Sequence, residues 1–149
     1  HLEKNTLVIF MSDNGATFGA DIYNAGMRGV KGTAWYGGIR ASSFWRWPGK
    51  LDAGIRPQIA AHVDLLPTLA EIAGIDIPDE LSAQLEGTSL FPLLLDPDAQ
   101  WDQNRMLVHH RGRWDIEDDY THHKYAFCTV RWQKEQPAHP PFCNQHGWL

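Results

Sequence analysis

Six residues, Thr6–Met11 (TLVIFM), form an unbroken apolar run that stops abruptly at Ser12-Asp13-Asn14-Gly15. A run this short, bounded by a turn signal, suits a strand rather than a helix. Its lack of apolar–polar alternation suits a strand covered on both faces, as in a parallel α/β sheet. The turn then falls at the carboxyl end of the strand, and open α/β sheets bind ligands just outside those ends. Asp13 and Asn14 stand there, and a carboxylate and an amide carbonyl are hard oxygen donors that suit Ca²⁺ or Mg²⁺. Asx-Gly is also the commonest hairpin turn, so the local sequence leaves a purely structural reading open. Two donors fall short of a calcium shell of roughly 6–8 oxygens, and further ligands must come from elsewhere.

Residues 15–40 are glycine-rich and show no strong period, which reads as a long ordered loop. Within it, Arg28-Gly-Val-Lys31-Gly-Thr-Ala-Trp-Tyr-Gly37-Gly38-Ile-Arg40 sets one lysine among small residues. Glycines let backbone approach a ligand closely, and a lysine ammonium presents a point charge to an anion. The competing reading is a solvated lysine on a mobile loop. No GxxxxGK[ST] spacing occurs, so the segment is not a P-loop.

Ala41–Trp47 reads as a second strand, ended by Pro48-Gly49. Asp64 fits a helix N-cap, with Pro67 in the first turn, Leu66, Leu69, Ala70 and Ala73 as the apolar face, and Gly74 at the C′ position. Leu90–Leu95 reads as a short helical turn ended near Pro97. From Trp101 the texture changes: Met106–His109 and Tyr125–Trp132 read as strands, with Asp115–His123 as an acidic surface loop between them. A boundary near residue 98 therefore divides an α/β part, 1–98, from a β-rich part, 99–149.

Composition narrows the partners. A formal charge of -5 and scattered Lys and Arg argue against a nucleic-acid partner. No apolar stretch approaches the roughly 20 residues of a membrane helix. The polar start, His1–Asn5, does not resemble a signal peptide, and the chain reads as cut at both ends. Cys128 and Cys143 could pair or stay free, and no CxxC zinc or redox motif occurs. The pairs His109-His110 and His122-His123 read chiefly as structural or surface residues, with His110 a candidate for contact with a substrate's organic part.

The ordered set strand–SDNG, RGVKGTAWYGGIR, strand–RWPG, HVDLLPTLAEIAG and EGTSLFPLL closely resembles the sulfatase family of the alkaline phosphatase-like superfamily, over about residues 5–95. The resemblance implies the C-terminal part of an alkaline phosphatase-like α/β sandwich followed by a small β-rich C-terminal subdomain. His110-Arg-Gly-Arg-Trp114, Lys124-Tyr125 and Cys128-Thr-Val-Arg131 resemble that subdomain in some bacterial members, more weakly. It also implies that Asp13 and Asn14 are two of the calcium ligands and that Lys31 contacts the sulfate group and its bridging oxygen. Arg28, Gly32, Gly37, Gly38 and Arg40 match the frame of the motif, and Tyr36 stands where the family usually has Glu. The family's formylglycine nucleophile arises in a C/S-x-P-S/A-R motif, which this sequence lacks, and an upstream Asp-Asp pair and a catalytic histidine are likewise absent. The expectation is a sulfate-ester hydrolase once joined to the remainder of the sulfatase chain, inactive by itself, with Ca²⁺ and formylglycine in the complete protein and a periplasmic or secreted location. Two competing readings are a phosphodiesterase or phosphonate hydrolase of the same superfamily, and a non-catalytic binding domain in which Asp13-Asn14 is merely a turn.

Overall fold

The computed structural model describes residues 2–111 and 126–131, and for 110–111 and 126–131 the backbone alone. The elements run β1 (Val8–Met11), α1 (Tyr36–Ile39), β2 (Ser43–Arg46), α2 (Leu65–Ala73), α3 (Asp79–Ser82), α4 (Phe91–Leu95), β3 (Met106–Arg111) and β4 (Ala126–Arg131). Two compact units result. Of the described residues, one takes Leu2–Val8 together with Arg46–Arg105, and the other takes Ile9–Trp45 together with Met106–Arg111 and Ala126–Arg131.

β1 and β2 form a two-stranded sheet. Ser12 N donates to Ser42 O at 3.0 Å, and Ser42 N donates to Ser12 Oγ at 2.8 Å, so the end of β1 meets the start of β2. At the other end Arg46 Nη2 donates to Glu3 Oε1 at 2.7 Å and Trp47 Nε1 donates to Lys4 O at 3.2 Å. Contacts at both ends in this order make the pair antiparallel. The expected cover on both faces is not found: Phe10 is 68% exposed, its ring 6.2 Å from that of Phe44. Among the described residues the sheet has two strands.

The helix over residues 65–73 forms where the sequence places it, and Gly74 takes the left-handed C′ conformation at φ 65°, ψ 34°. Its buried face only partly matches the expected one. Ala70 is buried as expected, but Leu66, Leu69 and Ala73 face solvent and Thr68 is buried instead. The reason is polar. Thr68 Oγ1 donates to Asp64 O at 2.5 Å and accepts from Leu90 N at 2.8 Å, drawing the threonine face inward. Asp64 does precede the helix, but its side chain does not cap it. It reaches back to accept from Ala61 N at 2.7 Å, accepts from Thr88 N at 2.8 Å, and receives both terminal nitrogens of Arg105, at 3.0 Å and 2.5 Å. Arg105 also donates to Ile59 O at 3.1 Å.

Leu93 of α4 is the most deeply buried apolar residue described, and Arg56 covers the end of that helix. Arg56 Nε donates to Leu93 O at 2.5 Å and Nη2 donates to Leu94 O at 3.1 Å. A guanidinium at a helix C-terminus satisfies carbonyls that the helix leaves unpaired.

β3 and β4 pair antiparallel in the register Met106↔Arg131 to Arg111↔Ala126. Along β3, Leu107 and His109 are half-buried while Met106 and Val108 face out, a period of two. Burial lowers the pKa of His109 below its ordinary value, because a desolvated imidazolium is disfavoured. The unfolded chain then binds more protons than the folded one between the lowered value and about 6.5. Stability rises with pH across that window and is lost as pH falls through it. The urea midpoint of the protein should drop from pH 7.5 to pH 5.5, and His109→Gln should flatten that drop. An unchanged slope in the variant would assign the pH dependence to other groups.

Candidate functional site

The loop that the sequence leaves irregular is folded back on itself by backbone hydrogen bonds. Gly15 N donates to Gly38 O at 2.9 Å, Ala16 N to Gly37 O at 3.0 Å, and Gly37 N to Arg28 O at 2.8 Å. Lys31 N donates to Ala16 O at 2.8 Å, which seats the lysine beside the Asp13-Asn14 turn. Gly37 and Gly38 are buried in the short helix α1, a place where glycine is ordinarily unfavourable. Their reason is close approach. A Cβ on Gly37 would collide with Gly29 O, and one on Gly38 with Val30 O. Backbone from three segments therefore packs where side chains cannot fit.

Lys31 Nζ lies 4.0 Å from Asp13 Oδ2, and both side chains are largely solvated, at 53% and 84% exposure. An ion pair so exposed adds at most about 1 kcal/mol to folding. The pairing thus has little structural value, and both charges are accessible to a third group. Asn14 is half-buried next to Asp13. The donor set fits a hard divalent cation in part: one carboxylate and one amide oxygen, well short of a full shell. Among the described residues no group of three or more His, Cys, Asp or Glu could hold a metal ion by itself.

Two supports of this loop escape a reading of local sequence. Asn24 Nδ2 donates to Met27 O at 2.9 Å and to Gly29 O at 2.8 Å, closing the turn that leads into Lys31. Met27 N returns to Asn24 O at 2.8 Å across Ala25 (φ 48°) and Gly26 (φ 70°), two successive left-handed residues as in a type I′ turn. The Asn-x-Gly spacing is the signal that marks it. The second support is the Arg28 guanidinium, 3.6 Å from the centre of the Trp35 ring, a cation–π stack across the loop. Tyr36 lies under Arg40 with its ring centre 5.2 Å from the guanidinium carbon.

His110 lies in β3, its backbone paired with Phe127. Its side chain lies outside the described residues, as do His122, His123, the 115–123 loop, the Arg-Gly-Arg-Trp segment from 112 on, and the side chains of Cys128 and Cys143.

A family model described as Sulfatase matches residues 1–75, half of the 149-residue chain, and the chain belongs to the sulfatase family. It is 40% identical to arylsulfatase A of Homo sapiens over 98 residues, covering 63% of this chain and 18% of that protein. It is 31% identical to the uncharacterized sulfatase YdeN of Escherichia coli K12 over 143 residues, covering 92% of this chain and 24% of the relative. The crystal structure of Ps i-CgsB superposes with a TM-score of 0.63 at 29% identity, covering 74% of this chain and 24% of that one. The chain thus spans about a quarter or less of the length of the proteins it matches.

Proposed function

We propose that this chain is part of a calcium-dependent sulfatase that hydrolyses sulfate esters, and that it contributes the electrostatics of the site. The observation that carries the reading is the 4.0 Å approach of Lys31 Nζ to Asp13 Oδ2 on a glycine-packed loop, in a chain of the sulfatase family. Asp13 and Asn14 would hold Ca²⁺ together with ligands from the remainder of the chain. The bound ion would draw charge from the sulfate oxygens. Lys31 sets a fixed positive charge beside the oxygen that becomes negative as the S–O bond breaks. The motif from which a formylglycine nucleophile arises does not occur in these 149 residues. By themselves they would show no turnover.

In the proposed organisation residues 1–98 belong to the α/β domain and residues 99–149 to a β-rich subdomain, supported by the antiparallel β3–β4 pair. His110 is assigned to the substrate's organic part. Among the described residues no helix is long and apolar enough to cross a membrane. A periplasmic or secreted location completes the reading. One similar solved structure, Ps i-CgsB, holds k-i-k-neocarrahexaose, so saccharide esters lie within the proposed substrate range.

The test uses the full-length protein with 4-nitrophenyl sulfate and bis-4-nitrophenyl phosphate. Sulfate-ester hydrolysis abolished by a chelator and restored by Ca²⁺ is the expected result. Preferential cleavage of the phosphodiester, restored by Zn²⁺ or Mn²⁺ instead, would transfer the protein to the phosphodiesterase reading. The isolated 149-residue chain should show no turnover and no micromolar Ca²⁺ binding by calorimetry.

A further inference from the structure

The Lys31 ammonium is held from its backbone rather than along its side chain. The side chain is 53% exposed, and its ion pair with Asp13 spans 4.0 Å. The main chain leading into it is fixed more closely. Gly37 N donates to Arg28 O at 2.8 Å, and Asn24 Nδ2 donates to Gly29 O, two residues before Lys31, at 2.8 Å. The same nitrogen donates to Met27 O at 2.9 Å, so both hydrogens of one amide are spent on the backbone of this segment. Gly37 is pressed against that amide: a Cβ there would stand 2.7 Å from Asn24 Nδ2 and 2.9 Å from Arg28 O. Gly37 O in turn accepts from Ala16 N at 3.0 Å, and Ala16 O accepts from Lys31 N at 2.8 Å. The Asn24 amide thus sits where the Met27–Lys31 and Gly37–Gly38 segments meet. Its oxygen has a different fate. Asn24 Oδ1 is buried and finds no partner among the described residues. Burying an unpaired acceptor works against folding, and proteins tolerate such local costs where function needs the geometry.

We propose that Asn24 is a positioning residue for ester hydrolysis: its amide locks the Met27 and Gly29 carbonyls and thereby sets where the Lys31 ammonium stands. This role rests on the sulfatase reading of Lys31. A lysine stem is flexible, so the protein's control over the charge lies in the backbone at its root. A group that stabilises developing charge must be held to within about 0.5 Å, and a misplacement of about 1 Å can cost about 10²-fold in rate. Both donors of Asn24 are used on main chain, so its effect on the ester passes through the lysine. Asn24→Asp is the sharpest probe. It keeps the size of the side chain and turns a carboxylate oxygen toward two carbonyl oxygens, which repel it and open the turn. Asn24→Ala removes the donors without adding charge.

The test is a double-variant cycle in the full-length protein: wild type, Asn24→Asp, Lys31→Ala and the two combined, assayed on 4-nitrophenyl sulfate at saturating Ca²⁺. Asn24→Asp should lower kcat about 10- to 100-fold with KM within about twofold of wild type. Added to Lys31→Ala it should remove no more than about a further factor of two, because the lysine through which it acts is already gone. Asn24→Ala should show the same pattern with a smaller loss. A kcat of Asn24→Asp within about twofold of wild type overturns the proposal. So does a combined variant that falls below Lys31→Ala by the full factor of the single change, since the loss would then come from unfolded protein or from another part of the site. A raised KM at unchanged kcat also overturns it, because the amide would then serve binding alone. If Asn24→Asp is insoluble, Asn24→Ala in the same cycle decides by the same criteria. Wild-type protein inactive on every sulfate ester, or full activity in Lys31→Ala, would instead remove the sulfatase reading of the lysine itself.

Discussion

Asp64→Ala is expected to destabilise the protein by about 3–5 kcal/mol, a large share of a total stability that is typically only about 5–15 kcal/mol. The Asp64 carboxylate is fully buried and holds four hydrogen bonds. Removing it strands the Ala61 and Thr88 N–H groups and leaves the Arg105 guanidinium, itself 10% exposed, without its counter-charge. The cost measures that uncompensated burial, not the net value of the ion pair, which a well-packed apolar pair could match. Arg105→Met should therefore cost about as much alone, and the double variant should recover part of the sum. The coupling of two such contacting residues is of order 0.5–3 kcal/mol. Urea denaturation of the four proteins gives the cycle. A loss under 1 kcal/mol in Asp64→Ala would mean that water reaches the carboxylate and that the pair is peripheral. If Asp64→Ala is insoluble, Asp64→Asn keeps the shape and one acceptor and should show the same sign.

That example also shows where sequence is informative and where it stops. The strands and α2 announce themselves because each depends on neighbours within a few residues: an apolar run, a turn signal, Gly74 after the last helical turn. Asp64 announces only its position. Its partner Arg105 lies 41 residues on, and nothing local to a HVDLLP segment says that the carboxylate turns inward rather than capping the helix. The helix face follows from a second distant contact, since Thr68 is pulled in by Leu90 N while Leu66 and Leu69 are left outside. For β1 the apolar run reads correctly as a strand, but the cover expected on both faces is not found, with Val8 and Phe10 exposed. In the loop, glycines at 37 and 38 signal close packing, but which carbonyls they admit is a tertiary fact. The proximity of Asp13 and Lys31 follows from family resemblance, not from spacing, because eighteen positions of irregular chain fix no distance.

Lys31→Ala in the full-length protein is expected to lower kcat by about 10²–10³, the loss typical of removing one preorganised group that stabilises developing charge. Stability should move little, since the side chain is half-exposed and its ion pair with Asp13 is solvated. Those two outcomes together separate a functional lysine from a structural one. The split between constants sharpens the assignment. A charge that acts on the oxygen as the S–O bond breaks lowers kcat and kcat/KM alike, whereas a charge that merely holds the sulfate group raises KM at constant kcat. Lys31→Arg should not restore activity, because a planar fork on the glycine-packed loop presents its charge differently from a compact ammonium. Asp13→Ala should act by another route, weakening the activation by Ca²⁺ while leaving kcat at saturating metal closer to wild type. Full activity in Lys31→Ala on a sulfate ester would remove this loop from the chemistry and leave the Asp13–Lys31 approach as an ordinary surface contact.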